Sequence, residues 1–453
     1  MSETHLPEGA LTLAKERLRH LVAQPSVAAD GRAIPETAEA VATLLREEGF
    51  EAELHATPGA PVVFAQHRVE GAPTLLLYNH YDVQPEDPVD AWTSPPFELT
   101  ERDGAWYGRG AADDKGELVS RLTALRLYRE RHGDLPFGVT FLVEGEEEIG
   151  SPPLPDYVEQ HAERLAADGC IWEFGGVDAY DRPVTYSGMK GIVTFELHAR
   201  TAGRDLHSSY GAVADDAGYR LAAAIATLRD ADGRVTVEGF VDGVETPNAQ
   251  DVALVDALPD EDDELARTFE IPRWLQDRKG TDWARALYFE PTLNVNGIHV
   301  GYGGEGAKTV LPAHGVAKLD VRLVPDQDPD HVLTAVRRHL DAHGFGDVEI
   351  VPLQHAERAA RSNMTDPFVQ HAIAALEETY DQAPVVLPNS AGSGPIHPFV
   401  VGLGVSVVGM GCGYPGSRIH GPNEHVRIHD FERGTLATLR FLERLAGEWG
   451  ETA

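Results

Sequence analysis

Short apolar runs of strand length alternate with amphipathic helical patterns through the first part of the chain. The runs lie at 61–65, 74–78, 139–143 and 170–172. One helical pattern covers 36–49, where Gly49 is typical of the residue that follows a helix, and a second covers 117–132. Strands that alternate with helices are typical of an α/β layer with a largely parallel sheet. The sequence therefore predicts an α/β fold for this part of the chain.

The pattern changes in the middle of the chain. Segments of strand or helix pattern follow one another at 192–199, 217–228, 292–300, 315–324, 331–343 and 348–353. Their order is strand, helix, strand, strand, helix, strand, which is the order of a split βαβ, ferredoxin-like α+β unit. An acidic, proline-containing insertion near 230–288 interrupts it.

The α/β pattern resumes towards the C-terminus, with a helix at 367–380 and a buried strand at 405–409. A smaller α+β domain inserted into one α/β domain explains this order most simply. We therefore predict an α/β domain formed by 1–188 and 359–453, and an inserted α+β domain at 189–358.

The charge balance narrows the classes of partner. The 453 residues include 38 Lys and Arg against 73 Asp and Glu, a net charge of −35. Such a surface repels nucleic-acid phosphates and anionic lipids, so we expect neither partner. Cys170 and Cys412 lack the number and spacing of a disulfide framework or a cysteine zinc site. Because no signal-peptide pattern and no apolar run of ~20 residues is present, we expect a cytoplasmic protein.

Two motifs with metal-binding side chains follow predicted strands or precede a predicted helix. His80 follows the second apolar run, and Asp82 is placed to fix the tautomer of its imidazole. A hydrogen-bonded loop histidine is the commoner explanation for His80 in isolation. Asp113 and Asp114 lie among glycines, where a sharply bent backbone places one carboxylate between two cations. Alternatively, Asp114 caps the helix that follows.

Three further motifs add acids and a histidine. Glu147 and Glu148 belong to a glutamate run, which is usually a solvated surface feature. This run directly follows a buried-type strand, where packed like charges need a compensating cation. Glu173 follows another apolar run, and His420 lies in a glycine-rich loop. Each of these two is more often an ordinary surface residue when taken alone.

Taken together, five metal-binding side chains fall at or just beyond predicted strand ends of one layer: His80, Asp113, Glu148, Glu173 and His420. Ligands of open α/β sheets bind at the carboxyl ends of the strands. Two histidines and three carboxylates, one of them bridging, suit a pair of zinc ions ~3.5–4 Å apart. Glu147, next to a ligand, is placed to act as a general base.

These motifs resemble those of the di-zinc aminoacylase/carnosinase family of metallopeptidases, which also holds glutamate carboxypeptidase, acetylornithine deacetylase and succinyl-diaminopimelate desuccinylase. The resemblance covers roughly residues 10–445 and all five motifs in order. It is strongest to the dipeptidase branch, through 80–85, 92–97 and 108–110. It implies a catalytic α/β domain that hydrolyses the amide bond of dipeptides or short peptides with two zinc ions, for which manganese or cobalt can substitute.

The resemblance also implies a role for each side chain. His80 and His420 would each bind one zinc, Asp113 would bridge the two metals, and Glu148 and Glu173 would complete the two coordination spheres. Glu147 would be the general base and Asp82 would orient His80. The Asp113–Asp114 peptide bond is typically cis in this family.

The resemblance implies that the inserted domain acts as a lid and dimerisation domain. His207 resembles a histidine that reaches the active site of a neighbouring subunit and helps to hold the developing oxyanion, which implies a homodimer. Thr309 and Arg322 match positions that bind the carboxylate end of the substrate, for which an arginine is a sound anchor. Gly392 and Ser393 match a further substrate-binding segment.

Two departures leave the substrate open. Dipeptidase relatives usually carry aspartate where this chain has Glu173, whereas glutamate is commoner among carboxypeptidases and deacylases. Asn389 stands where the family usually has arginine. An N-acyl-amino-acid deacylase would use the same site, and a carbamoyl-type amidohydrolase would usually have histidine in place of Glu173. An inactive metal-binding scaffold would lack a ligand or the base, and none is missing.

Overall fold

The computed structural model describes residues 4–353 and 356–450. The chain divides into two compact units. The first unit contains Met1–Gly188, Arg361–Pro388 and Pro395–Ala453, and the second contains Met189–Ala360 and Asn389–Gly394. The second unit therefore takes up one long segment and one short segment of the chain. No helix among the described residues is long and apolar enough to cross a membrane.

The first unit is built on a six-stranded sheet. In spatial order its strands are Glu51–His55, Val62–His67, Gly138–Glu144, Thr74–His80, Gly169–Trp172 and Val407–Gly409. The last four are parallel to one another, and the first two add as antiparallel neighbours. Every residue of Gly138–Glu144 is buried, as expected of a strand covered on both faces. The carboxyl ends of three parallel strands, after His80, Glu144 and Trp172, therefore lie at one edge.

Helices cover this sheet. They span Glu8–Val22, Ile34–Glu47, Lys115–His132, Leu154–Gln160, Ala162–Leu165, Pro367–Tyr380 and Ile428–Gly450. Ile34–Glu47 shows why they form, because Ala38, Val41 and Leu45 recur at helical spacing and are all buried. Lys115–His132 packs against Glu8–Val22 and Ile428–Gly450.

Two small three-stranded sheets complete the first unit. One contains Gly176–Val177, Pro183–Tyr186 and Val385–Leu387, and the other contains Thr100–Arg102, Ala105–Tyr107 and His425–Arg427. The second of these sheets pairs a strand near residue 106 with one near residue 426. It thereby joins the loop that carries the aspartate pair to the loop that carries His420.

The second unit has an antiparallel sheet with the order Asn294–Val300, His314–Leu323, Gly188–Arg200 and Glu349–Pro352. The helices Ala217–Ala226 and Pro329–Ala342 stand between these strands in the chain. This is the predicted order of strand, helix, strand, strand, helix, strand, so the α/β fold with an inserted α+β unit is confirmed. Phe195, Leu197 and Ala199 alternate with half-buried residues and form part of this unit's core.

The second unit also has several shorter elements. Leu206–His207 pairs with Val310–Leu311, while Ala360–Arg361 and Ser390–Ser393 pair with the long strand Gly188–Arg200. The acidic insertion near 230–288 contains three helices, Ala249–Asp256, Asp262–Thr268 and Gly280–Phe289. The sequence predicts only an acidic, proline-containing insertion there, without helices.

Candidate metal centre

Three predicted metal-binding side chains lie where parallel strands end. His80 is the last residue of Thr74–His80, Glu173 directly follows Gly169–Trp172, and Glu148 lies in the turn after Gly138–Glu144. His80 and Glu173 are 1% and 6% exposed. Because the three strands are neighbours and parallel, their ends bring together side chains that are far apart in the sequence.

Asp113 lies between the two histidines. Its Oδ1 is 3.0 Å from His80 Nε2, and its Oδ2 is 3.1 Å from His420 Nε2. The peptide bond between Asp113 and Asp114 is cis. The two imidazoles hold the pKa of the Asp113 carboxyl below its usual range, against the opposing effect of burial. One oxygen towards each histidine is the arrangement that a bridging carboxylate requires.

Six side chains that could bind metal ions form two groups. One ligand atom from each of His80, Asp114 and Glu173 lies within 4.8 Å of the others, and the same holds for Asp113, Glu148 and His420. Asp114 was not predicted as a member of this cluster.

The electrostatics of the centre fit a cation. Glu173 Oε2 and Asp114 Oδ1 are buried and have no hydrogen-bond partner among the described residues. Burial raises the pKa of Asp114 to about 7 and raises that of Glu173 well above its usual range. Hydrogen bonds to the Asp113 and Glu148 carboxylates raise the pKa of His420 to about 10. Orphaned carboxylate oxygens and a strongly negative site are what bound metal ions would neutralise.

Asp82 connects His80 to the glutamate turn. Its Oδ1 lies 3.3 Å from His80 Nδ1, and its backbone oxygen lies 3.1 Å from the same nitrogen. Its two carboxylate oxygens also accept the backbone N–H groups of Glu147 and Glu148, at 3.2 and 3.0 Å. This fully buried aspartate therefore orients the imidazole and fixes the turn that carries both glutamates.

Glu147 opens a short 3₁₀ turn, Glu147–Ile149, and is half-buried. Burial raises the pKa of its carboxyl well above the usual range; His80 opposes this, and Glu148 adds to it. Glu148 accepts a 2.9 Å hydrogen bond from Gln84 Nε2 on its Oε2 and lies 3.1 Å from His420 Nε2. The two neighbouring glutamates thus differ in their surroundings, since only Glu148 belongs to a candidate metal-binding group.

Asp114 occupies the position before helix Lys115–His132, but its side chain makes no capping hydrogen bond. Its Oδ2 instead accepts from Asn79 Nδ2 at 2.6 Å and from the His80 backbone N–H at 3.0 Å. The alternative that Asp114 caps the helix with its side chain is therefore wrong. The sequence gives no signal of this, because Asn79 and His80 are distant from Asp114 along the chain.

Glu424 organises the loop that carries Asp113, and sequence reasoning missed its role. Its Oε1 accepts the backbone N–H groups of Gly110, Ala112 and Asp113 at 3.0, 3.0 and 3.1 Å, and its Oε2 accepts from Arg109 Nη1 at 2.6 Å. Gly110 has φ +84°, which a side chain rarely adopts. A glycine-rich loop in a sequence indicates that backbone N–H groups could converge on a hydrogen-bond acceptor, but it does not identify the residue that supplies this acceptor.

Arg121, on helix Lys115–His132, supports the ends of the strands. Its guanidinium donates to the carbonyl oxygens of Tyr78, Trp172 and Met410 and to Asn79 Oδ1. The side chain is 1% exposed. One buried arginine therefore ties together the ends of three neighbouring strands.

Of the five oxyanion and substrate-binding residues predicted in the second unit, four form two pairs. Arg322 Nη1 donates to Ser393 Oγ at 2.7 Å. His207 and Thr309 come together because Leu206–His207 pairs with Val310–Leu311, and both side chains are exposed. Gly392 is also exposed, and its N–H donates to Ser390 Oγ at 3.1 Å.

The sequence matches the model of Peptidase family M20/M25/M40 over residues 76–444. The chain belongs to this peptidase family. The resemblance to the aminoacylase/carnosinase metallopeptidases is thus confirmed at the level of the family. The matched residues contain every side chain of the two metal-binding groups.

Several individual proteins are similar to the chain. Rattus norvegicus Beta-Ala-His dipeptidase is 30% identical over 63% of this chain and 58% of that protein, so the chain spans less than two thirds of that relative. The Cys-Gly metallodipeptidase dug1 of Schizosaccharomyces pombe is 30% identical over 72% of each chain. The M20 family metallo-carboxypeptidase Sso-CP2 of Sulfolobus solfataricus has a similar structure, with a TM-score of 0.89, 37% identity, and coverage of 97% of this chain and 99% of that one.

Proposed function

We propose that this protein is a metal-dependent hydrolase that cleaves the amide bond of dipeptides or short peptides. The observation that carries the proposal is Asp113, whose two carboxylate oxygens face the two histidines at 3.0 and 3.1 Å. Relatives named Beta-Ala-His dipeptidase and Cys-Gly metallodipeptidase support dipeptides as the substrate class.

Two zinc ions are the cofactors we propose, with manganese or cobalt as possible substitutes. His80 and Glu173 would hold one ion, Glu148 and His420 the other, and Asp113 both. Imidazole nitrogens and carboxylate oxygens are the ligands that zinc takes in catalytic sites. When bound, the metals would acidify a water molecule and polarise the scissile carbonyl.

Glu147 is the general base in this proposal. It would take a proton from the attacking water and pass it to the leaving amine. Asp82 positions it through the backbone N–H of Glu147, and the same aspartate orients His80. A carboxyl group whose pKa is raised by burial suits a group that must first accept a proton and then release it.

The second unit would bind the substrate and a second subunit. Arg322 and Ser393 would anchor the substrate carboxylate, with Thr309 and Gly392 contributing to the same task. His207 would stabilise the oxyanion in the partner subunit's active site, which makes the enzyme a homodimer. The exposure of His207 supports this role, because its imidazole is available to another molecule.

A carboxypeptidase or N-acyl-amino-acid deacylase is the second candidate. Two observations favour it: the 37% identity to a solved metallo-carboxypeptidase, and Glu173, where dipeptidases usually carry aspartate. Both candidates use the same metal-binding residues and the same base, so they differ only in whether the acyl half of the substrate carries a free amine.

Elemental analysis combined with a substrate panel tests the proposal. The panel contains unblocked dipeptides, N-acetyl and N-succinyl amino acids and N-blocked dipeptides, each with and without added zinc or manganese. We expect about two metal ions per chain and turnover of free dipeptides. Turnover of blocked substrates alone would support the second candidate. A protein that binds neither metal nor substrate would contradict both and leave an inactive scaffold.

A further inference from the structure

A cavity of about 490 Å³ opens in the first unit beside the metal centre. Its wall includes Phe174, which directly follows Glu173, and it includes Arg418 and Ile419, which directly precede His420. Two loops that carry expected metal ligands therefore also build the cavity. Its volume falls in the range of small-molecule sites, about 300–1,000 Å³.

The lining of this cavity is aromatic and branched. Its apolar side chains are Phe174, Val177, Val184, Tyr186, Tyr414 and Ile419. The carboxylate in the wall, Asp178, already accepts hydrogen bonds from the backbone N–H groups of Tyr180 and Arg182 and from the Arg182 guanidinium. The acid is thus neutralised within the chain, and the cavity offers an apolar surface.

Two polar side chains of the wall, Tyr186 and Arg418, differ in exposure. The Tyr186 hydroxyl is buried and has no hydrogen-bond partner among the described residues. Arg418 is exposed, and within the same described part of the chain its guanidinium forms no hydrogen bond and no ion pair. The exposed guanidinium of Arg418 is therefore available to a ligand at the rim of the cavity.

The position of these groups favours an aromatic ligand. An apolar pocket with a few polar groups is the usual form of a side-chain site. A guanidinium on its rim can lie over the face of an aromatic ring, an interaction that arginine forms readily. Small aliphatic side chains would fill less of the cavity and could not stack against the guanidinium.

We propose that this cavity binds an aromatic side chain on the acyl side of the scissile bond. The proposal rests on the proposed peptidase function and adds a substrate class to it. Thr309 and Arg322, the predicted anchors of the carboxylate of the leaving half, belong to the second unit, whereas every cavity residue belongs to the first. The acyl half is therefore the part of the substrate assigned to this cavity.

The proposed aromatic preference differs from the substrates that the names of two relatives give. Those names give β-alanine and cysteine on the acyl side, and both residues are small. An aromatic preference is therefore a property of this chain's own cavity, and the names of these relatives do not predict it.

The test compares kcat/KM for Phe-Gly, Ala-Gly, Glu-Gly and Gly-Phe with the metal-loaded enzyme. Because a filled apolar pocket discriminates by about tenfold or more per group, we expect Phe-Gly to exceed Ala-Gly by at least about tenfold. Val184→Phe fills the cavity and should lower the ratio of Phe-Gly to Ala-Gly by about tenfold. Val401→Phe, at a valine that is 59% exposed and outside the cavity, should leave that ratio unchanged.

Arg418→Met removes the charge but keeps an apolar chain on the rim. We expect it to lower the preference for Phe-Gly over Ala-Gly by about threefold, the size of an exposed cation–π contact. A wild-type preference for Glu-Gly would instead assign Arg418 to a carboxylate and overturn the aromatic proposal. A preference for Gly-Phe over Phe-Gly would assign the cavity to the side chain of the leaving half. That result would overturn the proposal as well.

Calorimetric binding to the metal-loaded Glu147→Gln protein separates this proposal from the proposed function. Tighter binding of Phe-Gly than Ala-Gly, lost when Val184→Phe is added, would support the cavity even if the wild type hydrolysed no dipeptide. Equal binding of the two dipeptides would refute the cavity assignment, even if the wild type hydrolysed both. Thermal melting of each variant shows whether Val184→Phe still folds.

Discussion

The metal centre of the first unit and the predicted substrate-binding residues of the second unit differ in how firmly the chain holds them. His80 is buried and contacts Asp82 and Asp113. His207 is exposed, and the only hydrogen-bond partner of its imidazole among the described residues is Ser209, two residues away. Side chains that must hold a fixed geometry lie at strand ends with supporting hydrogen bonds, whereas a side chain intended for another molecule is left available.

The same contrast appears in the supporting residues. Glu424 and Arg121 together make eight hydrogen bonds around the metal centre. In the second unit, Arg322 reaches Ser393 and remains part-buried. The comparison implies that substitutions in the first unit cost catalysis or folding, while those in the second unit mainly cost substrate affinity or oxyanion stabilisation.

The largest expected effect is that of Glu147→Gln. Removing a general base should lower kcat by about 10²–10⁴-fold, because the amide cannot accept the proton of the attacking water. Metal content should be unchanged, since Glu147 lies outside both metal-binding groups. Steady-state kinetics with elemental analysis checks this. Near-wild-type turnover with full metal content would remove Glu147 from the role of base.

The second-largest expected effect is that of Glu424→Gln, which should lower the free energy of unfolding. It leaves the Arg109 guanidinium buried without a counter-ion, and both side chains of this pair are 1% exposed. Breaking a buried ion pair costs about 3–5 kcal/mol, which thermal or urea unfolding will show. Glu378→Gln, which breaks the more exposed pair with Arg444, is the matched control and should change stability far less. Equal effects would argue against a special role for Glu424.

His207→Ala should lower kcat by about 10²-fold, the usual loss when one oxyanion donor is removed. If His207 acts across the subunit interface, mixing His207→Ala and Glu147→Gln proteins under conditions of subunit exchange should restore activity, because one hybrid site has both groups. Kinetics of the mixture after incubation measures the recovery. No recovery despite demonstrated exchange would place His207 in its own subunit's site or outside catalysis.

Arg322→Met has the smallest expected effect and sharpens the comparison most. Loss of a charge-assisted hydrogen bond to the substrate carboxylate should raise KM by about 10- to 100-fold with a smaller change in kcat. Amidated substrates, which lack the carboxylate, should lose much less. Arg220→Met, at the arginine that pairs with Asp347 in the same unit, is the control and should leave KM unchanged. A similar loss for amidated substrates would show that Arg322 does not bind the carboxylate.

Much of this architecture could be predicted from local sequence. The strands around 74–80 and 138–144 are apolar and short, and the polar residues that follow them are adjacent in the chain. Parallel strands place such residues at one edge, so His80, Glu148 and Glu173 could be expected to meet there. The alternation of Phe195, Leu197 and Ala199 likewise predicted a half-exposed strand of the inserted unit.

The sequence by itself therefore determined the order of the elements and the inserted unit, and it predicted five of the six side chains that come together as candidate metal ligands, because periodicity and adjacency are local properties. Only the tertiary structure decided that Asp114 turns towards Asn79, that Glu424 accepts from an N–H group 311 residues away, and that loops after Glu173 and before His420 enclose a cavity. These depend on contacts between distant segments, and a hydrogen-bond acceptor can come from any distant segment without leaving a local pattern.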